Sequence, residues 1–71
     1  MEKEFLDVIQ KRNRGAYAVA IDGDLFTVSC RTLYVAKSVT LDLIRSGAFL
    51  SVKYLPNQIL EGEYLVNAVV K

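Results

Sequence analysis

The chain of 71 residues has no histidine, no tryptophan, one proline and a single cysteine, Cys30. Each scarcity excludes something. Without histidine, no Ser–His or Cys–His nucleophile pair can be assembled. Without histidine and with one cysteine, a zinc site of the usual His/Cys kind cannot form. One cysteine also leaves no intramolecular disulfide framework. GxGxxG and GxxxxGKS/T phosphate loops are absent, and the four glycines, at 15, 23, 47 and 62, each fall at an expected turn or cap. No apolar run approaches the ~20 residues of a membrane span. The opening MEKEFLDV is acidic, unlike the basic start of a signal peptide. A reducing, cytoplasmic setting is therefore expected, and the expectation for chemistry is no enzyme, no cofactor and no metal.

What is present is apolar material. Hydrophobic residues make up 52% of the chain and charged ones 24%. A chain this short is expected to be one domain over residues 1–71. Such a domain buries only about 60% of its unfolded surface. More apolar surface is on hand than a small monomer easily hides, so a surface that meets a partner is expected, with a homo-oligomer favoured. Scattered apolar residues on a well-packed monomer are the ordinary alternative. Nine basic and eight acidic residues give a net charge of +1, so there is no global field to attract nucleic acid or anionic lipid. The one dense basic cluster is KRNRG, with Lys11, Arg12 and Arg14.

Periodicity divides the chain into six elements. Glu2 to Arg12 reads as a helix with Phe5, Leu6, Val8 and Ile9 on one side, acidic residues in the first turn and basic ones in the last, and Gly15 as its stop. Ala16 to Ile21 and Leu25 to Arg31 read as a hairpin. Closing it with a type I′ turn at Asp22-Gly23 sets Ile21 opposite Asp24 and Val19 opposite Phe26. That register collects Tyr17, Val19, Phe26, Val28 and Cys30 on one face, whereas a one-residue slip scatters them. Thr32 to Gly47 carries both signals. VTLDL alternates and is rich in β-branched residues, but Thr32 is a good N-cap, Arg45 suits a last turn and Gly47 suits C′. Helix is preferred, burying Val35, Ala36, Val39, Thr40, Leu43 and Ile44. Ala48 to Leu55 reads as a strand with Leu50, Val52 and Tyr54 on one face, broken by Pro56-Asn57. Glu63 to Val70 reads as a last strand with Tyr64, Val66, Ala68 and Val70 on one face. The order α-β-β-α-β-β implies an α+β fold, an antiparallel sheet with a helix packed on one face. Reading 32–44 as strand gives the alternative, a small SH3- or Sm-like barrel with an N-terminal helix.

Few residues carry a chemical signal. Asp22 and Asp24 in AIDGDLF flank a glycine, but an EF-hand loop needs more carboxylates in a longer pattern, and Asp-Gly is a common hairpin turn. Cys30 falls on the expected core face and reads as a small buried hydrophobe. Lys11, Arg12 and Arg14 read first as cations at a helix C-terminus, and alternatively as a phosphate-binding patch. The sharpest feature is the far side of the central helix, where Tyr34, Lys37, Ser38, Leu41 and Arg45 recur at i, i+3, i+4, i+7 and i+11. There, an apolar Tyr and Leu are flanked by cations. They read as an exposed pair without consequence, as part of a helix covered on both sides, or as a contact stripe with Tyr34 and Leu41 as anchors and Lys37 and Arg45 as rim.

The stretch AYAVAIDGDLFTVSC resembles the first hairpin of HicB-type antitoxins, which pair strands around an acidic turn before a helix. The resemblance stops there: the proline and glycine-rich loop of that family is replaced by RTLYVAK, so no function is carried across. The expected function is that of a small non-catalytic protein that binds another protein, accessory, regulatory or inhibitory, of a size common in phages and mobile elements. The alternative is a small nucleic-acid-binding module using Lys11, Arg12 and Arg14.

Overall fold

The computed structural model describes residues 1–71, and its elements follow the expected order. They are α1 (Glu2–Gln10), β1 (Ala16–Asp22), β2 (Leu25–Cys30), α2 (Leu33–Ser46), β3 (Phe49–Pro56) and β4 (Tyr64–Val70). The strands form one antiparallel sheet in the order β1-β2-β4-β3. β1 and β3 are its edges and do not pair with each other, so the sheet is open and the barrel alternative is excluded. Residues 32–44 resolve as helix for the reasons the sequence offered. The Val35 N–H donates to Thr32 Oγ1 at the N-cap, and Gly47 closes the other end in the left-handed region at φ 73°.

Both helices pack on one face of the sheet. The core they enclose joins Ile9 of α1, Ala36, Val39 and Leu43 of α2, Val28 and Cys30 of β2, and Val66 and Ala68 of β4. Val28 lies directly opposite Val66 on the two central strands, and both are fully buried. A fully buried valine contributes on the order of 2 kcal/mol, so this pair under Val39 is the centre of the domain. At one end of the core, Phe5, Phe26 and Phe49 meet edge to face, with centroids 4.9 Å apart for Phe5–Phe26 and 5.6 Å for Phe26–Phe49. This contact ties α1 to two strands at once.

Several local expectations need correction. In the hairpin, Asp22 pairs with Leu25 and Ile21 with Phe26, leaving Gly23-Asp24 as the loop. The register is displaced by two residues from the expected one, which preserves parity, so Val19, Phe26 and Val28 still share a face. Only Gly23 has positive φ, as the first central position of a type II′ turn requires, so the turn is not I′. A bulge between Ala16 and Ala18 then reverses the start of β1. Ala16 enters the core and pairs with Cys30, and Tyr17, expected in the core, is turned to the other face.

α1 ends at Gln10, before the expected Arg12, so Lys11 and Arg12 lie beyond its last turn. The stop is Asn13, not Gly15: the backbone N–H groups of Arg12 and Asn13 and the Asn13 side chain all donate to the Ile9 carbonyl. Val8, expected on the buried side of α1, is exposed, as is Ile44 of α2 at 55%. A second bulge, at Leu50, removes that residue from the face it was expected to share with Val52. β3 runs one residue later than expected and includes Pro56, which is tolerated at the end of an edge strand.

Gly15 marks a close approach of chain to helix. A Cβ placed there would stand 2.6 Å from Val35 Cγ2, and a β-branched side chain in a helix has little rotamer freedom to retreat. Gly15→Ala is therefore expected to lower stability by about 1–3 kcal/mol, the range for overpacking. Chemical denaturation of Gly15→Ala, Val35→Ala and the double variant checks this: the double variant is expected to cost less than the sum of the single ones.

Candidate functional site

α2 presents its outer side to solvent along the predicted stripe. Tyr34 is 82% exposed and Leu41 50%, with Lys37 and Arg45 exposed beside them and Ser38 half-buried. The stripe is not covered by any other element, so the reading in which α2 is enclosed on both sides falls. Ile44 joins the stripe as an exposed apolar residue that periodicity assigned to the core. The acid of α2, Asp42, is not on this side. It turns toward α1, where Asn13 Nδ2 donates to its Oδ2 at 3.0 Å and Arg12 Nε stands 3.8 Å away. The outer side of α2 thus carries apolar residues and cations and no carboxylate.

The two helices do not close on each other across the sheet. Between them lies an apolar cleft of about 630 Å³, lined by Val8 and Ile9 of α1, Leu43 of α2, Phe26 of β2 and Phe49 of β3 among others. Arg12 and Arg45 also line it, so Arg45 belongs to both the cleft and the stripe. Sequence reasoning missed the cleft because it depends on how far apart α1 and α2 sit, a distance no periodicity encodes. Val8, which periodicity places on the buried side of α1, lines this cleft instead.

Lys11, Arg12 and Arg14 are all exposed at the loop after α1. They do not form an unbroken basic face, because Asp42 stands beside Arg12. Nearby, the guanidinium of Arg31 lies 4.5 Å over the ring of Tyr17, whose hydroxyl donates to the Glu63 carboxylate. That hydrogen bond to Glu63 is the main reason the Tyr17 phenol is held above its usual range. The remaining uncovered face of the sheet mixes Thr27, Ser29, Lys53 and Asn67 with Leu25, Leu55, Leu65 and Val69. Asp22 and Asp24 sit exposed at the hairpin tip.

No family model, curated protein or solved structure matches the chain. Its surfaces must therefore be read from their own chemistry.

Cys30 is fully buried beside Val28, and burial pushes its thiol up to about 11 from an ordinary 9.0. A group with a raised folded pKa stabilises fully below its unfolded pKa, and the contribution is lost as pH rises through the folded value. Stability is therefore expected to fall between about pH 9 and pH 11 as the unfolded thiol ionises while the folded one does not. Denaturation midpoints across that window check it, with the slope expected to be shallower in Cys30→Ala. At pH 8 a thiol reagent is expected to modify the native chain far more slowly than the denatured one.

Proposed function

We propose that this chain is a small non-catalytic interaction protein that occupies a surface of another protein through the outer side of α2. The observation that carries the reading is the exposure of Tyr34 and Leu41 on a helix whose inner side, Ala36, Val39, Thr40 and Leu43, is already buried. Single exposed apolar residues are ordinary, but Tyr34, Leu41 and Ile44 stand together on the outer side of one helix. Tyrosine and leucine supply contact area, and Lys37 and Arg45 supply a charged rim. Arg45 extends the surface to the mouth of the α1–α2 cleft, where a partner side chain has apolar walls to enter.

The complementary partner face is apolar at its centre and acidic at its rim, because the α2 side offers only cations. The same cations disfavour a second copy packed α2 to α2, which makes the expected homo-oligomer an outcome for measurement. Acting by occupation, the protein serves as an accessory, regulatory or inhibitory factor.

Tyr34→Ala combined with Leu41→Asp is expected to leave the fold within about 0.5–1 kcal/mol, as surface changes do. It is expected to weaken partner capture by about 30-fold or more, the loss of one hot-spot pair. Affinity capture with mass spectrometry, read beside light scattering, tests this. Unchanged captured proteins together with an unchanged mass in solution would show the reading to be wrong.

A further inference from the structure

The two edges of the sheet are treated differently. In β1, side chains of α1 satisfy outward-pointing backbone groups: Glu2 Oε2 accepts from the Ile21 N–H at 2.8 Å, and Gln10 Nε2 donates to the Ala16 carbonyl at 2.9 Å. α1 packs along this strand and caps it near both ends, leaving the Val19 backbone groups between them without a side-chain bond. β3 has no such cover. Asn57 donates to the Glu63 carbonyl across the β3–β4 pair. The alternation of an antiparallel ladder then points the N–H and C=O groups of Val52 and Tyr54 away from β4. No side chain hydrogen-bonds to them. Pro56 limits the open stretch at its far end.

The surroundings of this edge are apolar and cationic. Tyr54 is partly exposed on the helix side of the sheet and Leu50 is exposed at its bulge. α2 lies above β3, and the flank opposite Asp42 carries Leu41, Ile44 and Lys37 by helical spacing. Lys53 is exposed on the other side of the sheet, between Val52 and Tyr54. β3 itself, FLSVKYLP, contains no acidic residue.

We propose that β3 accepts an extended segment of a partner protein as a fifth strand, and that this segment alternates apolar and acidic residues. The inference rests on the reading of the chain as a protein-binding module and names the form its partner takes. Main-chain bonds to Val52 and Tyr54 hold the added strand, and its apolar residues face Tyr54 and the α2 flank. Lys53 lies in a non-hydrogen-bonded pairing with that strand, where opposed side chains are closest, and selects a carboxylate there. A second copy of β3 is the wrong occupant. The antiparallel self-pairing that uses both Val52 and Tyr54 sets Lys53 directly opposite Lys53 of the copy, a destabilising like-charge pair.

The test is NMR titration of the isotope-labelled full chain with a short peptide alternating glutamate with valine, beside one alternating lysine with valine. The acidic peptide is expected to shift the amides of residues 49–56 saturably and to slow solvent exchange of the Val52 and Tyr54 amides. Lys53→Glu is expected to weaken binding roughly five- to tenfold. Tyr54→Pro, which deletes an outward N–H and no bond to β4, is expected to abolish it. Unmoved 49–56 signals, or equal binding of the lysine peptide, overturn the proposal. So do Val52 and Tyr54 amides already protected in a free chain that scatters as a dimer. If the peptide fails while Tyr34→Ala with Leu41→Asp still abolishes capture, the edge proposal falls and docking through α2 stands. If capture survives those substitutions, docking through α2 falls whatever the peptide does.

Discussion

Two helices, nine and fourteen residues long, are all this chain has to cover a four-stranded sheet. Burial of Val28 against Val66 requires a helix over the middle of the sheet, and α2 takes that place through Ala36, Val39 and Leu43. α1 is then left with one edge. It is short for a helix that must hold itself to a sheet, and its own propensity contributes little at that length. The contacts that hold it are few and specific: Phe5 in the aromatic cluster, Ile9 in the core, and Glu2 and Gln10 on the backbone of β1. Everything left open follows from this allocation. One face of the sheet, the gap between the helices and the β3 edge have no element to cover them.

The bulge at the start of β1 adjusts this arrangement. Gly15 passes so close to Val35 that no side chain fits, and the next residue inward is alanine, the smallest that can fill the site beneath α2. A tyrosine at that depth would force α2 off the sheet. The extra residue in the strand sends Tyr17 to the opposite face, where its ring supports Arg31 and its hydroxyl meets Glu63. A residue that looks like core in the sequence therefore ends as part of a polar cluster.

What was legible in the sequence was whatever a local rule decides. Thr32 and Gly47 bracket α2 because caps act within a turn of the helix end. The pairing parity of the hairpin was legible because the apolar residues of both strands must share a face, and a two-residue displacement of register leaves that intact. The displacement itself was not legible, since Asp22-Gly23 and Gly23-Asp24 both offer turn chemistry and only the φ of each residue separates them. Tyr17, Leu50, Val8 and Ile44 were misassigned for two reasons. Two sit at bulges and two on helix flanks, where burial depends on which neighbour is across the gap. The outer stripe of α2 was legible because it is defined by periodicity alone, whereas the β3 edge needed the strand order.

One contact keeps the only acid of α2 off its outer side. Asn13 is buried, and its side-chain N–H₂ reaches both the Ile9 carbonyl and the Asp42 carboxylate, leaving Oδ1 without a partner. An unpaired buried oxygen is costly, and the two bonds made by the same amide work against that cost. They do so by joining the end of α1 to α2 across a gap that apolar side chains leave unfilled. The same bond holds Asp42 toward α1, on an α2 whose rotation is set by Ala36, Val39 and Leu43 in the core. With its one acid turned to α1, α2 shows Tyr34, Leu41, Lys37 and Arg45 outward, and beside it β3 shows Lys53. A contact between the helices thereby leaves the cations of this surface without a facing carboxylate from α2, and ties the chemistry of the surface to the packing beneath it.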